Sequence, residues 1–265
     1  MRNCPRLLLN TSAIELWPAD LLRARGNADA RVLAQADWLL RRKRDGRYLA
    51  AHLPQGMMPL IPRLAREPGL DDALDRLQTA SGRAGQVLDD VLAIDGLQRR
   101  LSQLGLAAND YVEQTGLQLI AEPVALQFGG RDRLGRPLWL SAGAARAWRQ
   151  LRAAALRADI VLDAISGYRS HDYQLGIFER KRARGLTLQQ ILAVNAAPGF
   201  SEHHSGDALD IGTPGEPPAE ESFATTPAFA WLRNNANAFG YRLSYPRDNP
   251  HGIVYEPWHW RWSAA

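Results

Sequence analysis

The chain has a single cysteine, Cys4, among 265 residues. An internal disulfide is thereby excluded, as is every thiolate zinc site that needs two or more cysteines, so any metal must be held by histidine and carboxylate. No apolar run approaches the roughly 20 residues of a membrane helix. No fixed-period repeat or low-complexity tract is visible, which argues against a solenoid. The opening MRNCPRLLLNTSA carries only a three-leucine apolar core, too short for the h-region of a secretory signal. What the chain does have is a globular balance, 46% hydrophobic and 23% charged residues, and enough length to bury a full core in one large or two small domains. The net charge of +4 would favour an anionic partner. Yet the arginines are spread along amphipathic segments, and the densest run, RKRAR at 180–184, reads as a solvated helix face. No nucleic-acid interface is expected.

Apolar spacing of three and four predicts a mostly helical region over residues 1–121. The stripes are Val32, Ala36 and Leu39, then Val87, Leu88, Val91 and Leu92, then Leu97, Leu101 and Leu104, the last capped by Asp95. Chemistry is not evident in this half, and its His52 reads as a surface or packing residue. From about residue 122 the pattern changes. PVALQFGGRDRLGRPLWLS alternates around two glycine turns and predicts a hairpin. Ser141 then caps a helix with the buried stripe Ala144, Trp148, Leu151 and Ala155. DIVLDAIS is a short strand ending at Gly167, a helix runs from after GYRS to Gly185, and Thr187 with Gln190 forms a capping box. Thr226-Pro227 opens another helix, Gly240 closes it, and two strands follow, YRLSYP and GIVYEPWHWRW. Helices interleaved with hairpin-linked strands predict an α+β domain over 122–265.

Three separated segments carry the candidate chemistry: SGYRS at 166–170, SEHHSGDALD at 201–210 and YEPWHW at 255–260. A catalytic zinc takes three protein ligands and leaves a position for water. His203 and Asp210 are an odd number of positions apart, so a straight strand would point them to opposite faces. The Ser205-Gly206 turn between them lets the chain fold back and bring both to one point. His259, near the C-terminus, is the candidate for the third ligand. Glu256 sits among aromatic residues, where a carboxylate's charge is disfavoured and its pKa rises, which suits a general base. Each of these signals alone is unspecific.

Together they match a family. SEHHSGDALD and EPWHW resemble the SxHxxGxAxD and ExxHW signatures of VanY-type D-alanyl-D-alanine carboxypeptidases, zinc peptidases that share a fold with the Hedgehog signalling domain. SGYRS followed by Tyr173-Gln174, and FGYRLSYP, are similar to that family as well. The resemblance covers about residues 122–262; the region 1–121 has no match and no assigned role. It implies a small antiparallel sheet with flanking helices. It also implies one Zn²⁺ on His203, Asp210 and His259, Glu256 as base for a metal-activated water, and Arg169 facing the substrate and the anionic intermediate. Ser201 and Gln174 are implied near the substrate. His204 is out of register with the motif and is expected to be a loop residue or a support for the ligands. Asp207 holds a variable position, and His171 and His251 are expected away from the metal. Of Trp258, Trp260 and Trp262, at least one is expected to pack in the core.

The implied activity is removal of the terminal D-Ala of peptidoglycan stem peptides at a DD- or LD-bond. The alternatives are an L-Ala-D-Glu endopeptidase and a non-catalytic, zinc-stabilised Hedgehog-like binding domain. The family's substrate implies periplasm or cell wall, whereas the lack of a recognisable export signal leaves a cytoplasmic location open.

Overall fold

The computed structural model describes residues 6–82 and 90–264. Before residue 121, strands β1 (Leu7–Asn10), β2 (Ile14–Pro18), β3 (Trp38–Arg42), β4 (Tyr48–Leu53) and β5 (Gly56–Pro59) accompany helices α1 (Asn27–Gln35), α2 (Leu70–Gly82), α3 (Leu97–Leu104) and α4 (Ala108–Thr115). The mostly helical N-terminal region expected from spacing is therefore corrected to a mixed one. The physical reason is visible in β3. Trp38 and Leu40 enter one core cluster while Leu39 enters another, so this strand is buried on both faces. Such a strand reads as an apolar run with no period of two, and periodicity alone cannot tell it from a helix. Accordingly α1 stops with Ala36 as its C-cap, and Leu39 belongs to β3. Asp95 does not cap α3; the cap is Gly96, in the left-handed region. Val91 and Leu92 are extended rather than helical. Val91 bridges Pro123, and the Leu92 N–H donates to the Glu122 carbonyl at 2.8 Å. Val87 and Leu88 lie outside the described residues.

Beyond residue 121 the elements follow the expected order. They are β6 (Ala125–Arg131), β7 (Pro137–Leu140), α5 (Ala142–Leu156), β8 (Asp163–Ser166), α6 (His171–Ala183), α7 (Leu188–Leu192), β9 (Ala208–Gly212), α8 (Pro227–Asn235), β10 (Tyr241–Leu243) and β11 (His259–Trp262). Ser141 caps α5 through the Ala144 N–H, and the Thr187–Gln190 capping box is formed in full. The fold is α+β, built on two sheets. The larger has the order β5-β4-β3-β2-β1-β6-β7, with β1 antiparallel to β6. One sheet thus runs across the boundary expected near residue 122.

The smaller sheet, β10-β11-β9-β8, is antiparallel throughout and carries two of the candidate ligands, Asp210 and His259. One face of it packs on α5 and α8. Leu209, Ile211, Trp260 and Tyr241 meet Ala144, Trp148, Leu151, Ala155 and Leu232 in one cluster. Alternation along β9 and β11 therefore turns Asp210 and His259 to the other face. Removing the Leu151 side chain, which is 0% exposed, is worth about 2–5 kcal/mol on the usual scale for buried leucine, so this face is a firm mount for the one opposite.

Candidate metal centre and active site

Register does the first part of the assembly. His259 and Asp210 are direct Cα partners in the β11–β9 pair, and directly opposed residues of an antiparallel pair share a face with close Cβ atoms. His203 arrives from a separate 3-10 turn, Glu202–Ser205, closed by Gly206 at φ 76°. A side chain at Gly206 would be strained by that φ. Its Cβ would also lie 2.4 Å from Leu126 and 2.9 Å from the Ser141 nitrogen, so only glycine lets the chain double back here. The three side chains meet as the sequence predicts. The His203 Nε2 is 3.3 Å and the His259 Nδ1 3.1 Å from the Asp210 Oδ1, and one ligand atom from each residue lies within 4.8 Å of the others. All three residues are buried.

Hydrogen bonds select which nitrogen of each imidazole faces this point. The His203 Nδ1 is 2.7 Å from the Gly167 carbonyl, which can only accept, so Nδ1 carries the proton and Nε2 keeps its lone pair. That Nε2 is buried and has no hydrogen-bond partner among the described residues. In His259 the roles reverse: Nε2 is 2.8 Å from a Glu202 carboxylate oxygen, leaving Nδ1 towards Asp210. An orphaned buried nitrogen, a second imidazole oriented by an outer carboxylate and a carboxylate between them form a donor set that fits a divalent cation of the zinc type.

The electrostatics agree with that fit. Burial disfavours the Asp210 charge, but His203 and His259 outweigh it and hold the carboxyl well below the usual range. Burial, with Arg169 adding, pushes His203 down to about 4, so its imidazole is neutral and available. Burial also disfavours the His259 cation, yet hydrogen bonds to Asp210 and Glu202 raise it to about 10. A cation held by that Nδ1 must displace a proton, which makes uptake pH-dependent. Glu202, opposed by burial but hydrogen-bonded to His259, falls to about 2, and Arg261 holds its other oxygen at 3.2 Å.

Glu256 stands beside the three without joining them. Its Oε2 is 3.9 Å from the His259 Nδ1, and burial raises it to about 7, against the neighbouring His259 charge. Arg169 begins the next wall. Its N–H donates to the His203 carbonyl at 3.2 Å, while its side-chain Nε is buried without a hydrogen-bond partner among the described residues. Ser201 is buried and opens the 3-10 turn. Gln174, on α6, donates through Nε2 to the Ala196 carbonyl at 2.8 Å and leaves its Oε1 unpartnered.

The remaining histidines sort cleanly. His204 is fully buried; its Nε2 accepts from the Gly199 N–H and its Nδ1 is 2.7 Å from the Arg169 carbonyl, so it supports the Arg169 backbone. His171 contacts the Ile120 carbonyl and His251 the Thr115 carbonyl, and His52 lies in β4; none of these approaches the three ligand candidates. Asp207 bonds to Ser205 and Ser141 instead of joining the centre. Trp260 is a core residue, while Trp258 and Trp262 are partly buried against the same core. Two contributors escaped the sequence reading. Glu202 occupies a variable motif position, and only the rule that a ligating imidazole needs an acceptor for its other nitrogen could have pointed to it. Tyr245 covers the His259 ring, centroids 4.8 Å apart, and no spacing rule marks it.

The sequence profile of VanY, described as D-alanyl-D-alanine carboxypeptidase, matches residues 137–265. Putative carboxypeptidase YodJ of Bacillus subtilis (strain 168) is 30% identical over 187 residues, 67% of this chain and 67% of that protein. D-alanyl-D-alanine carboxypeptidase of Enterococcus faecium is 33% identical over 108 residues, 40% of this chain and 34% of that one. Among solved structures, that of the LdcB LD-carboxypeptidase is 33% identical with a TM-score of 0.44, covering 47% of this chain and 59% of that chain. The matched segments therefore span between about a third and two thirds of these relatives' lengths.

Proposed function

The chain belongs to the VanY family of D-alanyl-D-alanine carboxypeptidases, and from that premise we propose that it is a zinc-dependent carboxypeptidase. Its substrate class is the peptidoglycan stem peptide, and the bond cut is the one before the terminal D-Ala. The observation that carries the reading is the convergence of the His203 Nε2, the Asp210 carboxylate and the His259 Nδ1 beside a fourth, non-ligating carboxylate.

In this reading His203, Asp210 and His259 hold the Zn²⁺. When bound, zinc supplies a polarised carbonyl and a water acidic enough to be deprotonated near neutral pH. Glu256, set near neutrality by burial, accepts the proton of the attacking water and returns it to the departing amine. Arg169 offers a permanently charged, planar donor to the substrate carboxylate or the developing oxyanion. Ser201 and the free Oε1 of Gln174 line the approach, and residues 122–265 carry the reaction. No helix among the described residues is long and apolar enough to cross a membrane.

The test is mass spectrometry of defined pentapeptide and tetrapeptide muropeptides incubated with zinc-loaded and with chelator-stripped protein. Loss of a single C-terminal alanine, only in the loaded sample, is the expected result. Cleavage inside the stem, or none with zinc bound, would overturn the assignment. The outer carboxylate gives a second expectation. Glu202→Ala removes the acceptor that orients His259, and zinc affinity should fall by about 10–100-fold in a competition titration with a chromophoric chelator. Unchanged affinity would show that Glu202 has no part in holding the metal.

A further inference from the structure

Behind the candidate metal centre lies a second buried polar assembly, which the resemblance does not account for. Lys43, one residue past β3, is 1% exposed, and its Nζ donates to the Glu122 Oε2 at 2.6 Å. The other partners of Glu122 are the Tyr168 hydroxyl, on the same oxygen, and the His171 N–H, on Oε1 at 2.9 Å. Asn10, in β1, donates from Nδ2 to the Tyr168 oxygen at 3.0 Å and to the Pro123 carbonyl at 2.9 Å. Asn10 in β1, Lys43 just past β3 and Glu122 just before β6 therefore grip one short segment, 168–171, Lys43 through the Glu122 carboxylate and Asn10 directly.

That segment is what orients the candidate site. Gly167 presents its carbonyl to the His203 Nδ1, and the Arg169 N–H and carbonyl engage His203 and His204. A Cβ at Gly167 would lie 2.7 Å from the Trp139 carbonyl, so the segment is also pressed against β7. Arg169 itself forms no ion pair with an acid among the described residues. Among the described residues no counter-ion thus fixes its direction, whereas its backbone is held at both N–H and carbonyl. A buried ion pair is weak evidence for stability, because desolvation offsets the attraction. A pair whose remaining hydrogen bonds all go to one functional loop is better explained by the geometry it imposes.

We infer that Lys43, Glu122 and Tyr168 are positioning residues through which the large sheet fixes the Gly167–Arg169 segment, and with it the His203 imidazole and the Arg169 guanidinium. The kinetic arm of the test rests on the peptidase reading; the exchange arm does not. Tyr168→Phe deletes one hydroxyl and keeps the ring. The double variant Lys43→Met/Glu122→Gln neutralises the pair at similar volume and serves if the first fails to fold. In either, amide hydrogen exchange at Tyr168, Arg169 and His171 should quicken about tenfold or more, with amides of α5 and β9 unchanged. The kcat/KM per bound zinc for the muropeptide should fall about fivefold or more, because a misaimed arginine weakens substrate capture or the stabilisation of developing charge. A merely structural role would lower melting temperature and active fraction at constant kcat/KM per bound zinc, without local change in exchange, and that pattern overturns the inference. If the wild-type protein hydrolyses nothing, the peptidase reading fails, and unchanged exchange at 168–171 still sinks the positioning role by itself.

Discussion

Glu256→Ala is expected to lower kcat about 10²–10⁴-fold while the protein still binds one equivalent of zinc. The magnitude is that of a positioned general base. The retained metal follows from geometry, since Glu256 lies beside the ligand cluster and is not among its members. The folded protein should tolerate the change. The Glu256 carboxylate accepts no hydrogen bond from the described residues, and burial already penalises its charge, so its removal relieves a cost instead of breaking a network. A thermal midpoint equal to or above wild type is therefore expected, the usual exchange of stability against activity at such sites. His203→Ala is the contrast, because it should lose metal and turnover together. Zinc content by atomic absorption, read beside hydrolysis of a muropeptide, separates the two. Full activity in Glu256→Ala would end the assigned mechanism.

Lys43→Met is expected to destabilise the protein by about 3–5 kcal/mol, the scale for leaving one member of a buried pair uncompensated. Against a typical total of about 5–15 kcal/mol that loss is severe, and urea midpoints measure it. Adding Glu122→Gln should restore most of it, since no buried charge then remains. The same pair sets an acid limit. Burial opposes the Glu122 charge, but Lys43 prevails and lowers its carboxyl to about 2, from an ordinary 4.5. A depressed folded pKa contributes stability that is complete above about 4.5 and is lost as pH falls from there through about 2. The stability difference between wild type and Lys43→Met should accordingly narrow between pH 5 and pH 3. A constant difference across that range would show that Glu122 is not held ionised by Lys43.

What was legible in the sequence divides along a physical line. Caps and turns are local, so Ser141, the Thr187–Gln190 box and the Gly206 reversal were each foreseen from a few adjacent residues. The N-terminal half misled because β3 is covered on both sides, and a strand without an exposed face loses the alternation by which strands are recognised. His203, Asp210 and His259 could be named as candidates in advance because a single cysteine points to imidazole and carboxylate as donors, and because their motifs resemble those of a known family.

The one-dimensional text thus named the candidate donor set, the proposed base and the family. It could not determine Glu202 as the outer acceptor, Tyr245 over the His259 ring, or Lys43 reaching Glu122 across 79 residues. Those depend on β11 lying directly opposite β9 and on β1 pairing with β6. Such long-range register is fixed by burying two sheets at once, and no local pattern records which strands will end up adjacent.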